Sequence, residues 1–512
     1  MHLLQFLASS ISLFTVVRAA STPPTVTVKN GTLQGRYNEQ WDQDFFLGIP
    51  YAQPPLGDLR FRWPQSIEEK WNGTRDATEY GYSCYQYKSN FNLSEDCLTL
   101  NVIRPSGYDN QSLPVLMWIY GGGLYAGSSA DPQYNLSGIV NTASKSGQPF
   151  IGVSINYRLG VWGFLQNPAI LNEGSSNAGL LDQRMAMMWV QENIAAFGGN
   201  PKKVTVWGES AGAQSIGLHM HSFGGRDDGL FSSAILESGG PVGASLNPIP
   251  FYTSAFENLT RTVGCYDGGS GQYATAHIEA LACLRNLTSE QLFHSNYTVV
   301  WNPIVDGTFL TAYPSQLAAT GNFIRASPSR PTAWTTPPPS STTSSTGATT
   351  SSRRPRSARS WPSTPPSPPK ALSRAGSRTF FSYRFDTPLW NNTTPPIGAK
   401  HFDNVVFSFQ NISGALGPLP EFESYGELSR GIGRAYASFV AEGQPNGVVG
   451  NAAEGGGGNG ERNATGLPLW PRYELDHPTN LVLNANGSWV EPDTWREEGI
   501  AFINSISREL LA

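Results

Sequence analysis

A chain of 512 residues with 39% hydrophobic and 14% charged side chains is long enough and apolar enough to bury a large core. Its formal net charge of −5 supplies no basic field of the kind that nucleic acid or an anionic membrane surface needs, which sets both partner classes aside. Length allows one large α/β domain or several small ones, so fold class has to come from pattern.

The chain opens with LLQFLASSISLFTVV, an apolar run too short to span a bilayer, followed by Val17-Arg18-Ala19-Ala20, which fits the small-residue pattern of signal-peptide cleavage. This predicts a signal peptide over 1–19 and a secreted, extracellular chain without an integral membrane segment. Asn-x-Ser/Thr triplets at Asn30, Asn72, Asn92, Asn135, Asn258, Asn286, Asn296, Asn411, Asn463 and Asn486 fit that compartment. So does an even number of cysteines, Cys84, Cys97, Cys265 and Cys283, which suggests disulfides. Three connectivities are possible, and pairing sequence neighbours asks least of the chain. No C-x-x-C with a matching His or Cys pair occurs, so neither a metal nor a cofactor is expected.

Taken in order, PTVTV, an Asn30-Gly31 turn and a returning strand read as a hairpin within 21–64. Val115 to Tyr120, Phe150 to Ile155, Val204 to Trp207 and Ala234 to Glu237 are short apolar runs typical of strands covered on both faces. Ala178 to Phe197 reads as a helix whose buried face carries Leu181, Met185, Met188 and Trp189. Phe380 to Phe385 reads as a further strand, and Leu428 to Val440 and Trp495 to Leu510 as late helices. Strands alternating with helices predict an α/β fold with a mostly parallel sheet and helices on both faces. The glycine run Gly455 to Gly458 neither follows a strand nor opens a helix, and carries no phosphate-binding signature.

Gly208-Glu209-Ser210-Ala211-Gly212 lies between the strand VTVW and the apolar-periodic AQSIGLHM, the strand, turn and helix setting of a nucleophile elbow. Ser210 is the candidate nucleophile. An attacked carbonyl becomes an oxyanion that needs N–H donors, and Gly121-Gly122-Gly123, directly after the strand VLMWIY, together with the amide of Ala211, would supply them.

These blocks, with FLGIPYAQPPLGDLRF, SEDCLTLNV, NYRLGVWGF, GLLDQRMAMMWVQENIAAFGGNP, PIVDGTFL, YRFDTP and GAKHFDNVVFSF, resemble the type-B carboxylesterase/lipase family of α/β-hydrolases. The resemblance covers most of 26–323 and resumes at Phe380. It implies an α/β-hydrolase fold with a central, mostly parallel twisted sheet as a single domain over 20–512, and hydrolysis of small-molecule carboxylic esters. No cofactor and no obligate protein partner are expected. It also implies oxyanion donors at Gly122, Gly123 and Ala211, disulfides Cys84–Cys97 and Cys265–Cys283, and buried ion pairs Arg60–Glu95 and Arg158–Asp182. Glu209 lies beside the nucleophile and would either tune the site's charge or serve as a buried structural carboxylate.

Ser210 needs a base, and in this fold the acid and then the histidine follow the nucleophile along the chain. Only His401 and His477 come late enough. His401 precedes the strand-like run VVFSF and matches the family's catalytic histidine, whereas His477 sits in the polar turn YELDHPTN. The acid is where the chain departs from the family. Between Asp306 and Asp386 there is no Asp or Glu, so the triad acid is unknown. The Ser/Pro/Thr-rich stretch at about 324–378, including WTTPPPSSTTSSTGATTSS, occupies its place, and its composition alone cannot pack a core. The codons of Trp334-Thr335 (TGG, ACN) necessarily contain GAC, an Asp codon, in a shifted frame. The stretch is therefore expected to result from a misread frame or mispredicted intron, with a disordered, O-glycosylated linker as the alternative. If the acid is truly missing, a silent binding or adhesion protein on the same fold is the rival to an enzyme. The loop between Cys84 and Cys97, YQYKSNFNLSED, is short and polar, which favours an esterase of soluble esters over an interfacially activated lipase.

Overall fold

The computed structural model describes residues 22–87, 89–242, 246–266, 273–295, 301–324, 332–335, 379–389, 398–410, 422–447 and 463–505, with backbone alone at 273–275, 332–335 and 503–504. The expected signal peptide over 1–19, the triplets at Asn296 and Asn411, the glycine run 455–458 and most of 324–378 lie outside these residues.

The strands in chain order are β1 (Thr25–Val28), β2 (Gly31–Gln34), β3 (Arg36–Asn38), β4 (Gln43–Pro50), β5 (Thr74–Asp76), β6 (Ser83–Cys84), β7 (Leu93–Ser94) and β8 (Thr99–Pro105). They continue with β9 (Leu113–Ile119), β10 (Ile151–Ile155), β11 (Gly199–Glu209), β12 (Ser233–Glu237), β13 (Thr332–Thr335), β14 (Phe380–Phe385), β15 (Thr479–Leu483) and β16 (Trp489–Pro492). Eleven of them form one sheet in the order β16-β15-β14-β13-β12-β11-β9-β10-β8-β4-β3. From β10 to β15 every neighbouring pair is parallel, and antiparallel strands finish both edges. The apolar runs β9, β10, β11 and β12 are the central strands; Val115, Met117, Val153, Val206 and Ile235 are wholly buried, as expected of strands covered on both faces.

Helices flank the sheet. The helix Ser137–Lys145 packs with Glu423–Glu442 over β8, β9, β10 and β11, and Ala178–Asn193 packs with Ala211–Gly225 against β11. The hairpin β1–β2 forms as read. Its Asn30 is buried and donates Nδ2 to the carbonyls of Ile67 and Glu69, so this triplet is closed to modification in the folded chain. Asn72, Asn92, Asn258, Asn286 and Asn486 are exposed.

Two expectations require correction. In Ala178–Asn193 the buried positions include Leu180, Asp182, Gln183, Ala186, Met187, Trp189 and Val190, while Leu181 and Met185 are half-buried and Met188 is 43% exposed. The face is rotated because two polar residues belong to it. Asp182 pairs with Arg158, and Gln183 bonds Ser215 and His219. Val405–Ser408, expected as a strand, is a short helix; all four residues are buried, so no polar face marks the period of either structure.

The disulfides join Cys84 to Cys97 and Cys265 to Cys283. Arg60 forms a two-pronged bond to Glu95 and donates to the carbonyls of Leu284 and Leu287, which ties the first disulfide loop to the end of the helix Tyr273–Asn286. Arg158 grips Asp182 in the same bidentate way. Removing one partner of such a buried pair costs about 3–5 kcal/mol, because the other charge is stranded. The loop closed by Cys84 and Cys97 is less polar in space than in sequence. Tyr85 stacks on Trp162 at 5.3 Å and Tyr87 on Phe293 at 5.2 Å, so both tyrosines of the loop are tied down.

No helix among the described residues is long and apolar enough to cross a membrane, and no group of His, Cys, Asp or Glu there could hold a metal ion.

Candidate active site

β11 runs into Ser210, which has φ 55° and ψ −122°, and the helix Ala211–Gly225 starts at the next residue. A non-glycine residue with this backbone is strained and persists only where its surroundings over-determine it. They do so here. The Ser210 amide donates to the carbonyl of Glu237 at 2.8 Å, and a Cβ added at Gly212 would lie 2.0 Å from the Ile119 carbonyl oxygen. The turn therefore needs glycine to let the helix close on β9, which leaves Ser210 projecting at the head of a helix.

The glycine loop abuts the same point. A Cβ on Gly121 would lie 3.0 Å from the Ser210 Cβ, and Gly122 takes φ 81° where a Cβ would be 2.1 Å from the Ala126 carbonyl oxygen. Among the described residues the amides of Gly122, Gly123 and Ala211 have no protein acceptor. All three predicted donors thus stand on the two segments that meet at Ser210.

His401 arrives from the far side of the chain. Its Nε2 lies 2.8 Å from the Ser210 Oγ, within reach of direct proton transfer. The ring is 44% exposed, and burial of the remainder holds its pKa below the usual imidazole value. The turn 400–403 that carries it is closed by the Lys400 amide donating to Asp403 Oδ2 at 2.7 Å, and Phe402 in it has φ 79°. His477 is exposed in a bend.

Glu209 is 1% exposed, and its Oε1 sits 3.2 Å from His401 Nε2 without hydrogen-bond alignment. Burial, and secondly the neighbouring Glu237, push its carboxyl well above the usual range, which favours the neutral form. Among the described residues no carboxylate is paired with His401 Nδ1. Within the acid-free stretch Thr332–Thr335 form β13, a parallel strand between β12 and β14. Composition concealed that strand, because Thr-Ala-Trp-Thr sits at the edge of a Ser/Pro/Thr run.

A residue overlooked in the sequence lies behind the pair. Glu237 is fully buried, and its carboxylate accepts from Asn404, Ser408, Tyr383 and Tyr436. Only the apolar run that it ends was visible, and nothing local in AILE marks the last residue as a hub.

The carboxylesterase family pattern matches residues 22–334. Lipase 4 of Diutina rugosa is 37% identical over 347 residues, 60% of this chain and 60% of its own length. Acetylcholinesterase of Electrophorus electricus is 36% identical over 351 residues, 61% of this chain and 52% of its own. The chain therefore aligns with a little over half the length of these curated relatives. Among solved structures, the Geobacillus stearothermophilus carboxylesterase EST55 superposes with a TM-score of 0.71 at 26% identity, covering 93% of this chain and 99% of that one. A thermophilic PNB esterase gives 0.72 at 26% identity, covering 96% and 100%. An elbow with a strained serine, a glycine loop packed on it and an α/β-hydrolase sheet match over more than half of the chain, and the chain belongs to the carboxylesterase family.

Proposed function

We propose that this chain is a secreted serine hydrolase of small carboxylic esters, built as one α/β-hydrolase domain over 20–512 after removal of 1–19. The observation that carries the proposal is the 2.8 Å approach of His401 Nε2 to Ser210 Oγ beside three amides that have no protein acceptor among the described residues. His401 takes the Ser210 proton as the oxygen attacks the ester carbonyl, and the amides of Gly122, Gly123 and Ala211 hold the oxyanion. The alcohol leaves with the proton from His401, and water, activated by the same ring, releases the acid. The lowered pKa of His401 keeps the base neutral further into acid than a free imidazole, so kcat/KM should hold below the usual imidazole midpoint before falling.

Purified protein assayed on p-nitrophenyl acetate and butyrate beside Ser210→Ala tests the proposal. A loss of at least about 10⁴-fold in kcat is expected for the variant, by the behaviour of serine-hydrolase templates. Equal rates would end the enzyme reading. The anchored tyrosines of the Cys84–Cys97 loop agree with an esterase of soluble esters, for which rates should not jump when substrate passes its solubility limit.

A catalytically silent binding protein is the second reading, favoured by the absence of a carboxylate on His401 Nδ1 among the described residues. In a serine-hydrolase template, loss of that partner costs roughly 10⁴-fold in kcat, or about 5 kcal/mol. The two readings separate on residues 324–378. The GAC shared by the codons of Trp334 and Thr335 falls in the last two residues of β13, a strand of the main sheet, and in this fold the acid comes between the nucleophile and the histidine along the chain. This supports a frame or intron error over an inserted linker. The transcript sequence decides it, and an mRNA encoding the Ser/Pro/Thr run as written would sink the idea.

A further inference from the structure

We infer that Glu237, the last residue of β12, is the positioning residue that sets the Ser210–His401 distance, its backbone fixing the nucleophile and its carboxylate fixing the turn that carries the base. The inference rests on the acyl-transfer reading of that pair.

Two sets of bonds meet on this residue. Its carbonyl accepts the Ser210 amide at 2.8 Å, which anchors the elbow. Its carboxylate Oε2 accepts Asn404 Nδ2 at 2.8 Å, and Oε1 accepts Ser408 Oγ at 2.8 Å, Tyr383 OH at 3.4 Å and Tyr436 OH in a short bond. Asn404 and Ser408 bracket the helix Val405–Ser408, which starts at the end of the His401 turn. Tyr383 comes from β14 and Tyr436 from the helix Glu423–Glu442. Three segments distant in sequence thus converge on one carboxylate whose main chain already holds the nucleophile.

The bonding is specific. Among the described residues no cation pairs with Glu237, burial raises its pKa and hydrogen-bond dipoles alone oppose that rise, so a space-filling role would be served better by an apolar side chain. The His401 turn also needs an outside restraint, since Phe402 holds φ 79° and half of the His401 ring faces solvent. Glu209 differs in kind: its carboxyl approaches the His401 ring itself, whereas Glu237 acts through Asn404 and Ser408.

The experiment compares wild type with Glu237→Leu, Glu237→Gln and Ser408→Ala, reading kcat and KM on p-nitrophenyl butyrate, the rate of Ser210 labelling by a fluorophosphonate probe, and Tm. A displacement of about 1 Å in a catalytic pair costs about 10²-fold, which sets the scale. Glu237→Leu is expected to lower kcat and the labelling rate together by about 10²-fold, with KM within about twofold. Glu237→Gln, which keeps one acceptor oxygen, should recover part of that loss. Should Glu237→Leu fail to fold, Ser408→Ala, which removes one donor, should still slow labelling several-fold. Wild-type kcat and labelling in folded variants, even with lower Tm, would assign Glu237 a purely structural role and overturn the inference. A wild-type protein that neither hydrolyses ester nor labels at Ser210 would overturn the acyl-transfer reading, and this inference with it.

Discussion

The two ends of the 2.8 Å bond between Ser210 and His401 are held by opposite means. Ser210 is held mainly by its own segment, β11 before it and the helix from Ala211 after it, with glycines that allow a close turn against β9 and one bond from its amide to the Glu237 carbonyl. His401 is held through the neighbouring Asn404 and Ser408, which are tied to Glu237 of β12, where Tyr383 of β14 and Tyr436 also converge, with a strained turn at Phe402 between His401 and these bonds. A locally encoded half is robust to what happens elsewhere in the chain. A half assembled at long range depends on β14 and the helix Glu423–Glu442, both of which follow the Ser/Pro/Thr-rich stretch.

The sharpest break falls on the local half. Gly212→Ala adds a methyl 2.0 Å from the Ile119 carbonyl oxygen, a backbone atom that cannot swing away. Overpacking against backbone should cost about 3 kcal/mol or more and abolish activity, measured by chemical denaturation and by ester turnover. Survival of both stability and activity would show that the helix can stand off β9.

The same contrast explains what could be read in the sequence. GESAG in its strand-to-helix setting and the central strands were legible as local patterns, the glycine loop only beside GESAG, and the mostly parallel sheet followed from strands alternating with helices. His401 was legible only through resemblance, since one histidine before an apolar run has no local mark. Glu237 was hidden altogether, because its four donors come from residues 146 to 199 positions away. The buried face of Ala178–Asn193 differs from its apolar periodicity for a related reason: Asp182 and Gln183 belong to the interior only because Arg158, Ser215 and His219 meet them there. Buried polar networks are long-range facts, and hydrophobic periodicity does not register them.

Glu209 gives a test at the junction of the two halves. Its folded pKa is raised by burial, so the neutral carboxyl is the form the fold prefers. A group of this sign contributes stability that is present below the unfolded carboxyl value and lost as pH rises through the folded one. Glu209→Gln cannot ionise and should escape that loss. Its Tm is expected to match wild type near pH 4 and to exceed it increasingly toward neutral pH, by differential scanning calorimetry across the range. A constant difference at all pH values would mean that Glu209 titrates normally.

The finest probe is the weakest bond on Glu237. Tyr383 OH reaches the carboxylate at only 3.4 Å and bonds Tyr436 OH at 2.5 Å, and Asn404, Ser408 and Tyr436 still donate to Glu237 when it is removed. Tyr383→Phe keeps the ring against Trp470, where the centroids are 5.1 Å apart, so packing is conserved and only the hydroxyl is lost. That should cost about 0.5–1 kcal/mol by denaturant melts. Tyr436→Phe deletes its bond to Glu237 together with the bond to Tyr383, leaves buried oxygens without a donor, and should cost more, about 1–3 kcal/mol. Equal losses would mean that the hydroxyls share the load through the bond between them, and that the carboxylate reads the cluster as a unit rather than donor by donor.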